Sequence, residues 1–482
     1  MTITLEGEYT DAEIMVEDES LIEADCIDQI QELLDHPAFT EPVRIMPDAH
    51  WGVGAPVGFT MPLPDAVVPN IVGVDVGCGM TATALGQALP LEPAERDRRI
   101  RGAVPMGRSV HEYDAAPHLV DEFPFDRAND VFEQFATAYR RRFDRSIDPI
   151  HFDFDGYDGG YFKSMCDRVL GRQREGIGHV IRSAGTLGGG NHFIEFAQAR
   201  SNGEYWLIIH SGSRYLGKSI AEYWQHRATQ HRDADAIREA LPEEYTEYLK
   251  FDPATVSDAT LHEWVTGGKG ESHLRKDRIR SEFDGERVDH IFRELANPQR
   301  AAEGRNEDLD WLEGREAHGY YVDMLFAQQY ARWNRELMAK AICEELEITP
   351  TDQFQSVHNY IDFRDLTIRK GATPARADQR LLIPLNMAEG SILARGKGNE
   401  DWNASAPHGA GRIMGRREAH ETLSIEDFEE EMAGIYSESV VESVLDEAPM
   451  AYKPTSAVLE AIAPTAEVVD WLDVVHNLKA SE

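Results

Sequence analysis

Apolar positions along the chain recur with two different periods, and the alternation between them reads as an α/β (α+β) protein. Near the N-terminus a short strand precedes residues 22–34, where apolar side chains return every three or four positions until His36 and Pro37 stop the helix. Residues 46–80 are dense in Gly, Pro and Val, which predicts short strands joined by tight loops. Within them the apolar run 71–76 (IVGVDV) predicts a buried strand that delivers Asp75 and Cys78 to a Gly-flanked turn. The pattern then predicts helices over 91–101 and 126–142, a buried strand over 204–210 (EYWLIIH) and a helix over 218–232. Val322, Phe326, Tyr330, Trp333, Leu337 and Ala341 step by three or four, so a long helix with one apolar, core-facing stripe is expected. Short strands near 354–358 and 380–383 precede a Gly-rich stretch to about 415, and the acidic segment 423–447 reads as helical.

Residues 230–318 are polar, charged and weakly periodic, and are expected to be a surface-lying helical insertion. The chain has no internal repeat and no low-complexity linker, so residues 1–482 are read as one large unit with mixed sheets rather than several domains. Its 42% apolar and 28% charged residues are globular in balance. No run of about 18 apolar residues occurs and the N-terminal stretch is acidic, so no membrane association and a cytoplasmic location are expected. Cys26, Cys78, Cys166 and Cys343 are too widely spread to staple a chain of this length, which makes a ligand a better role for any special cysteine than a crosslink. The net charge of −38 looks hostile to a polyanion, yet a cleft needs only local cations or bound metal. Solubility or adaptation to a salty medium accounts for the acidity, and no partner follows from it.

Chemistry concentrates in Gly-rich, sharply turning segments. VGVDVGCGM (72–80) offers Asp75 and Cys78, GTLGGGNHFIEF (185–196) offers Asn191, His192 and Glu195, HSGSR (210–214) begins with His210, and SVHNY (356–360) offers His358 and Asn359. Imidazole, carboxylate and thiolate suit divalent metals of the manganese and zinc kind, and a two-metal site needs a ligand that bridges the pair. Each group alone has an ordinary reading, a satisfied polar histidine or a small buried thiol. Residues 212–219 (GSRYLGKS) also fit the GxxxxGK[ST] phosphate loop between a predicted strand and helix, although no downstream strand ends in a suitable aspartate. The clusters Arg140, Arg141, Arg142, Arg145 and Arg275, Lys276, Arg278, Arg280 suit either solvated helix ends or RNA contacts.

Together with MPDAHWGVGAPVGFTMPLP (46–64), RKGAT (369–373) and SAPHGAGR (405–412), these blocks stand in the order of the RtcB family of RNA ligases, which the chain resembles. The resemblance implies a single domain with mixed sheets around a central metal cleft and two manganese ions. Cys78 would bridge them, with Asp75 and His192 on one and His210 and His358 on the other. It further implies that His408 attacks GTP and carries GMP. The nucleotide would be held by Asn191, His192, Glu195, His358, Asn359, Pro384, Asn386, Met387, Ser391, His408, Gly409, Ala410, Gly411, Tyr452 and Lys479. Implied substrates are RNA 3′-phosphate or 2′,3′-cyclic phosphate ends and 5′-hydroxyl ends. Implied partners are an archease-type activator and, for the chain itself, a monomeric or weakly oligomeric state.

The chain departs from the family in three places. It has Pro384, Leu385, Asn386, Met387, Ala388 where Pro-Gly-Ser-Met-Gly is common, losing two glycines from the phosphate cradle. It has Lys479-Ala480 where Lys-Gly is usual, and its middle insertion is longer. These differences suggest a branch concerned with RNA repair rather than tRNA splicing. The rival readings are a two-metal phosphatase or nuclease with a dispensable His408, a P-loop NTPase using Lys218 and Ser219, and a non-catalytic RNA-binding subunit.

Overall fold

The architecture is seen in a computed structural model that describes residues 2–16, 22–150, 152–171, 176–266, 270–296 and 306–480. At its centre lies a seven-stranded antiparallel sheet in the order Arg380–Pro384, Ser391–Gly396, Ala466–Leu478, Phe193–Ala199, Tyr205–Ser211, Gly79–Gly86, Asp352–Val357. Alternate residues of Tyr205–Ser211 serve different layers. Leu207 and Ile209 pack with Met338, Ile342 and Ile194 on one face, and Trp206 and Ile208 pack with Met80, Leu382 and Leu472 on the other. Covered on both faces, the strand is apolar almost throughout, which is why it was legible as a buried one.

A six-stranded sheet, Ile3–Glu6, Asp11–Ile14, Val43–His50, Val57–Pro62, Thr367–Lys370, Asn359–Asp362, has a core of its own, with one parallel pair between Asp11–Ile14 and Val43–His50. A two-stranded ribbon, Ala372–Pro374 with Ser405–Pro407, connects the sheets beside the cleft.

Several sequence expectations change in detail. Residues 71–76 are not a strand: a 3-10 turn ends at Ile71, Gly73 and Gly77 take φ of 76° and 70°, and Val74 is exposed. The strand starts only at Gly79. The acidic segment is helical over Ile425–Glu431 and in a 3-10 turn over Glu442–Glu447, with irregular chain between. The helix expected at 218–232 runs over Arg214–Ala240, and Gly314–Glu345 forms the long one. That long helix is not amphipathic where it matters, because every residue from Glu316 to Ala327 is buried. Its polar Asp323 is tolerated there by Arg168, Tyr161 and the Trp224 indole N–H, all within 2.8 Å.

Helices pass without a break through position 230 and across 318, and the residues between them close on a core of their own that includes Ile237, Leu241, Trp264, Ile279 and Leu295. Among the described residues no helix is long and apolar enough to cross a membrane.

Candidate metal centre and nucleotide pocket

The strand register gathers the predicted ligands at one edge of the central sheet. Gly79 lies opposite both Ser211 and Val357, and Phe193 lies opposite His210. The residues just before Gly79 and Phe193 and just after Val357, namely Cys78, His192 and His358, therefore meet His210. The His358 amide donates to the Cys78 carbonyl at 3.0 Å, which closes the register. Cys78 Sγ stands 3.2 Å from His210 Nε2 and 3.6 Å from His192 Nε2. His192 Nε2 lies 3.0 Å from Asp75 Oδ2, and His210 Nε2 lies 3.2 Å from His358 Nε2. Two donor sets result, Asp75/Cys78/His192 and Cys78/His210/His358, and they share Cys78.

The rings are aimed by the backbone. His192 Nδ1 bonds the Leu187 carbonyl at 2.9 Å and His210 Nδ1 the Asn191 carbonyl at 3.1 Å, so each Nδ1 carries a proton and each Nε2 faces the cluster, that of His192 against the Asp75 carboxylate. Arg335, buried, donates to the carbonyls of Gly77 (2.8 Å) and Ser211 (2.7 Å) and so ties the Cys78 loop to the His210 strand. Gly77 itself is obligatory: its φ is positive, and a Cβ would stand 2.9 Å from that of Ala331.

Burial sets the charges. It holds His210 down to about 3 and, helped by the neighbouring His408 and His210 rings, holds His358 well below the ordinary range. Both imidazoles are therefore neutral. Burial would raise the Asp75 carboxyl, but His192 outweighs it by charge and hydrogen bond and keeps the carboxyl ionised. Burial and then Asp75 push the Cys78 thiol far up. Two imidazole Nε2 atoms 3.2 Å apart, a buried His358 Nδ1 left without a hydrogen bond and a thiol that only positive charge can ionise form a donor set that a pair of cations would satisfy. Mixed N, S and O donors suit a borderline or hard transition ion, so the residues present fit the implied metal.

A cavity of about 250 Å³ adjoins this cluster. His408 follows the ribbon strand Ser405–Pro407 and stands beside His358, with ring centroids 4.9 Å apart. Its Nδ1 bonds the buried carboxylate of Asp48 at 2.7 Å. A carboxylate only accepts, so Nδ1 carries the proton and Nε2 is the free nitrogen. Gly411, at φ 73°, packs against Asp48, where a Cβ would come within 3.0 Å of the aspartate Cβ. The Ala410 amide donates to the Pro384 carbonyl at 3.0 Å.

The far wall is cationic. Glu447, buried, accepts from Lys479 Nζ (2.8 Å) and the Tyr452 hydroxyl (2.9 Å), and pairs with Arg416 at 2.7 Å. Burial opposes its ionisation, but Lys479 and Arg416 hold it down to about 2. The Arg412 guanidinium sits 5.1 Å from the Tyr452 ring centre. On the floor, burial pushes Glu195 up to about 8 against the opposing Asn477 amide, 3.1 Å away, and Lys479.

Of the predicted nucleotide residues, Asn191, Glu195, His358, Asn359, Pro384, Asn386, Met387, His408, Gly409, Ala410, Gly411, Tyr452 and Lys479 line the cavity. His192 lies behind it in the metal cluster, and Ser391, buried opposite Pro384, does not line it. The altered 384–388 segment is an Asx turn. Asn386 Oδ1 accepts from the amides of Ala388 (3.0 Å) and Glu389 (2.9 Å), which replaces glycine's flexibility with a side-chain brace.

Sequence reasoning missed Asp48, Arg335, Lys370, Arg412, Arg416 and Glu447. Asp48, Lys370 and Arg412 stand inside the quoted blocks and could have been singled out there. The other three carry no local signal. The two arginine clusters lie off the cavity wall: Arg142 pairs with Glu41, Arg145 with Asp65, and Arg278 with Glu247 and Glu282. The phosphate-loop candidate is helix from Arg214 onward, its Lys218 pairs with Glu222, and Asp75 fills the space beside Gly212, so no loop remains to wrap a phosphate.

Fold and site thus define an α/β protein with a paired donor set opening on a pocket whose far wall carries Lys479, Arg412 and Arg416. The comparisons with known proteins say which kind. The family model described as "tRNA-splicing ligase RtcB" matches residues 29–258 and 285–480, and the chain belongs to this RtcB family of RNA ligases. It is 27% identical over 479 residues to the RNA-splicing ligase RtcB of Escherichia coli (strain K12), covering 95% of each chain. It is 26% identical over 494 residues to that of Mycobacterium tuberculosis (strain ATCC 25618 / H37Rv), covering 90% of this chain and 95% of the relative. The tRNA-splicing ligase RtcB of Nanoarchaeum equitans (strain Kin4-M) is 24% identical over 502 residues, with 93% of this chain and 88% of the relative covered.

Proposed function

We propose that the chain joins RNA ends in a manganese- and GTP-dependent reaction that runs through GMP carried on His408. The observation that carries the proposal is the position of His408. Its Nδ1 is held by Asp48 at 2.7 Å, its ring is 4.9 Å from that of His358, and a cationic wall closes the same cavity.

Asp48 fixes the tautomer and so presents the Nε2 lone pair as nucleophile. Nε2 attacks the α-phosphorus of GTP, the bond to the β-phosphate oxygen breaks, and pyrophosphate leaves with the electron pair. As positive charge develops on the ring, the Asp48 carboxylate beside Nδ1 stabilises it. Lys479, Arg412 and Arg416 face the phosphates, and Glu195 and Asn477 offer polar atoms to a purine edge. An oxygen of the RNA 3′-phosphate, in the family commonly opened from a 2′,3′-cyclic phosphate, then takes the GMP and breaks the P–N bond. The 5′-hydroxyl of the second strand attacks the activated phosphate and releases GMP. Manganese ions held by Asp75, Cys78, His192, His210 and His358 would neutralise phosphate charge in both transfers.

Incubation with manganese and α-labelled GTP should attach an acid-labile, base-stable label to the protein. The label should be absent in His408→Ala and slowed by about 100-fold or more in Asp48→Asn, where the amide cannot stabilise the charged ring. An unlabelled, metal-loaded wild-type protein would point instead to a two-metal phosphatase or nuclease.

A further inference from the structure

Ten large hydrophobic side chains are exposed among the described residues, and four of them, Trp51, Val53, Val74 and Ile413, belong to the loops around the pocket. Trp51 is 53% exposed and directly follows His50, which lines the cavity. The backbone that follows it is braced. The Gln29 amide donates to the Gly52 carbonyl at 2.5 Å and accepts from the Gly52 N–H at 3.3 Å. The ammonium of Lys370, another cavity residue, donates to the Val53 carbonyl. The three loops touch one another: a Cβ on Gly54 would strike the Asn70 carbonyl at 2.4 Å, and Gly411 packs on Asp48. An exposed indole therefore stands on a braced loop at the mouth of the cavity, one residue from His50 and two from the carbonyl that Lys370 holds.

An exposed aromatic ring on a braced loop beside a cation is the chemistry by which proteins hold unpaired nucleic acid. Bases stack on the ring whatever their sequence, while the cations meet the backbone. We propose that Trp51 is the stacking platform for an unpaired base of the RNA strand whose end enters the pocket, with Lys370 meeting an adjacent phosphate. The inference rests on the RNA-joining reading above and adds the subsite that holds the strand. A nucleic acid is favoured over a protein partner because the loop that carries the indole is joined to the cavity by His50 and Lys370, which line it.

The test uses the full-length, manganese-loaded protein and a single-stranded RNA of about ten nucleotides with a 3′-phosphate. Trp51→Ala should weaken its Kd by about 5- to 150-fold, and Trp51→Phe should restore most of the loss. The factor should persist at high salt, since stacking releases no counterions. An abasic residue at one position should cost the wild type a similar factor and cost Trp51→Ala nothing more. Three results would overturn the proposal: equal affinities for wild type and Trp51→Ala, a loss accompanied by lower metal content or melting temperature, or a change in self-association in place of RNA affinity. A wild type that shows the abasic effect but takes no GMP label sinks the ligase reading alone. One that takes the label but is blind to Trp51→Ala sinks the stacking alone.

Discussion

The two walls of the pocket are built on opposite electrostatic plans. On the metal side, burial strips charge from every donor but Asp75 and its partner His192: His210 and His358 are neutral, Cys78 is held as a thiol, and backbone carbonyls do the aiming. On the far side, burial is overruled. Glu447 stays ionised because Lys479 and Arg416 surround it, and the cations in turn stay in place because Glu447 holds them. The first wall is a set of lone pairs waiting for positive charge, and the second is positive charge braced for an anion. A ligand that satisfies both must carry negative charge to metal on one side and to guanidinium and ammonium on the other, which is how a nucleoside triphosphate would span the cavity.

The harshest way to break the comparison is to remove the donor common to both metal groups. Cys78→Ala should cost both ions, whereas Asp75→Asn or His358→Ala, each confined to one group, should cost one. Activity should fall by more than the roughly 10- to 100-fold that follows loss of an outer-shell partner. Manganese titration followed by metal analysis reads the stoichiometry directly, and a Cys78→Ala protein that still holds two ions would dissolve the bridging assignment.

Breaking the other wall should have a smaller and different effect. Glu447→Gln keeps the shape but removes the charge that positions Lys479 and Arg416, so the KM for GTP should rise about 10- to 100-fold, the worth of one or two charge-assisted bonds. Metal content should be unchanged. The same carboxyl leaves a mark on stability. Its folded pKa of about 2 lies below the ordinary 4.5, so its contribution is complete above 4.5 and disappears as pH falls from there to about 2. Melting temperatures of wild type and Glu447→Gln should therefore converge on acidification through that window. A constant gap, or a loss of manganese, would contradict the separation of the walls.

The metal wall was far more legible in the sequence than the cationic one, for a physical reason. Asp75, Cys78, His192, His210 and His358 sit at strand ends or sharp turns, so residue type and context made each a candidate, and the resemblance to the family joined them into one set. Glu447, by contrast, lies at the end of a 3-10 turn within an acidic stretch, one carboxylate among many, and only the tertiary approach of Lys479 gives it meaning. Arg335 lies on a helix that periodicity identified, yet its role needs the Gly77 and Ser211 carbonyls to be brought beneath it. The strand expected at 71–76 failed because an apolar run cannot tell a buried strand from a loop that glycines at positive φ fold into the core. Asp48 was visible in its block, but nothing in the block paired it with a residue 360 positions away.

The mildest test concerns Glu195, where neither plan wins outright. Burial lifts its carboxyl to about 8, Asn477 and Lys479 counter only part of that, and its Oε1 is left without a hydrogen bond. The folded chain thus keeps a proton that the unfolded chain releases near 4.5, so stability should fall as pH climbs from about 4.5 to about 8. Glu195→Gln is the neutral isostere and has nothing to titrate. In metal-free protein it should match the wild type at pH 4.5 and melt higher at pH 9, by roughly 1 °C for each kcal/mol recovered in a chain of this length. Calorimetric scans at the two pH values decide the matter. If the wild-type and variant curves run parallel from pH 4.5 to 9, Glu195 is ionised in the empty pocket, and the floor belongs with the cationic wall.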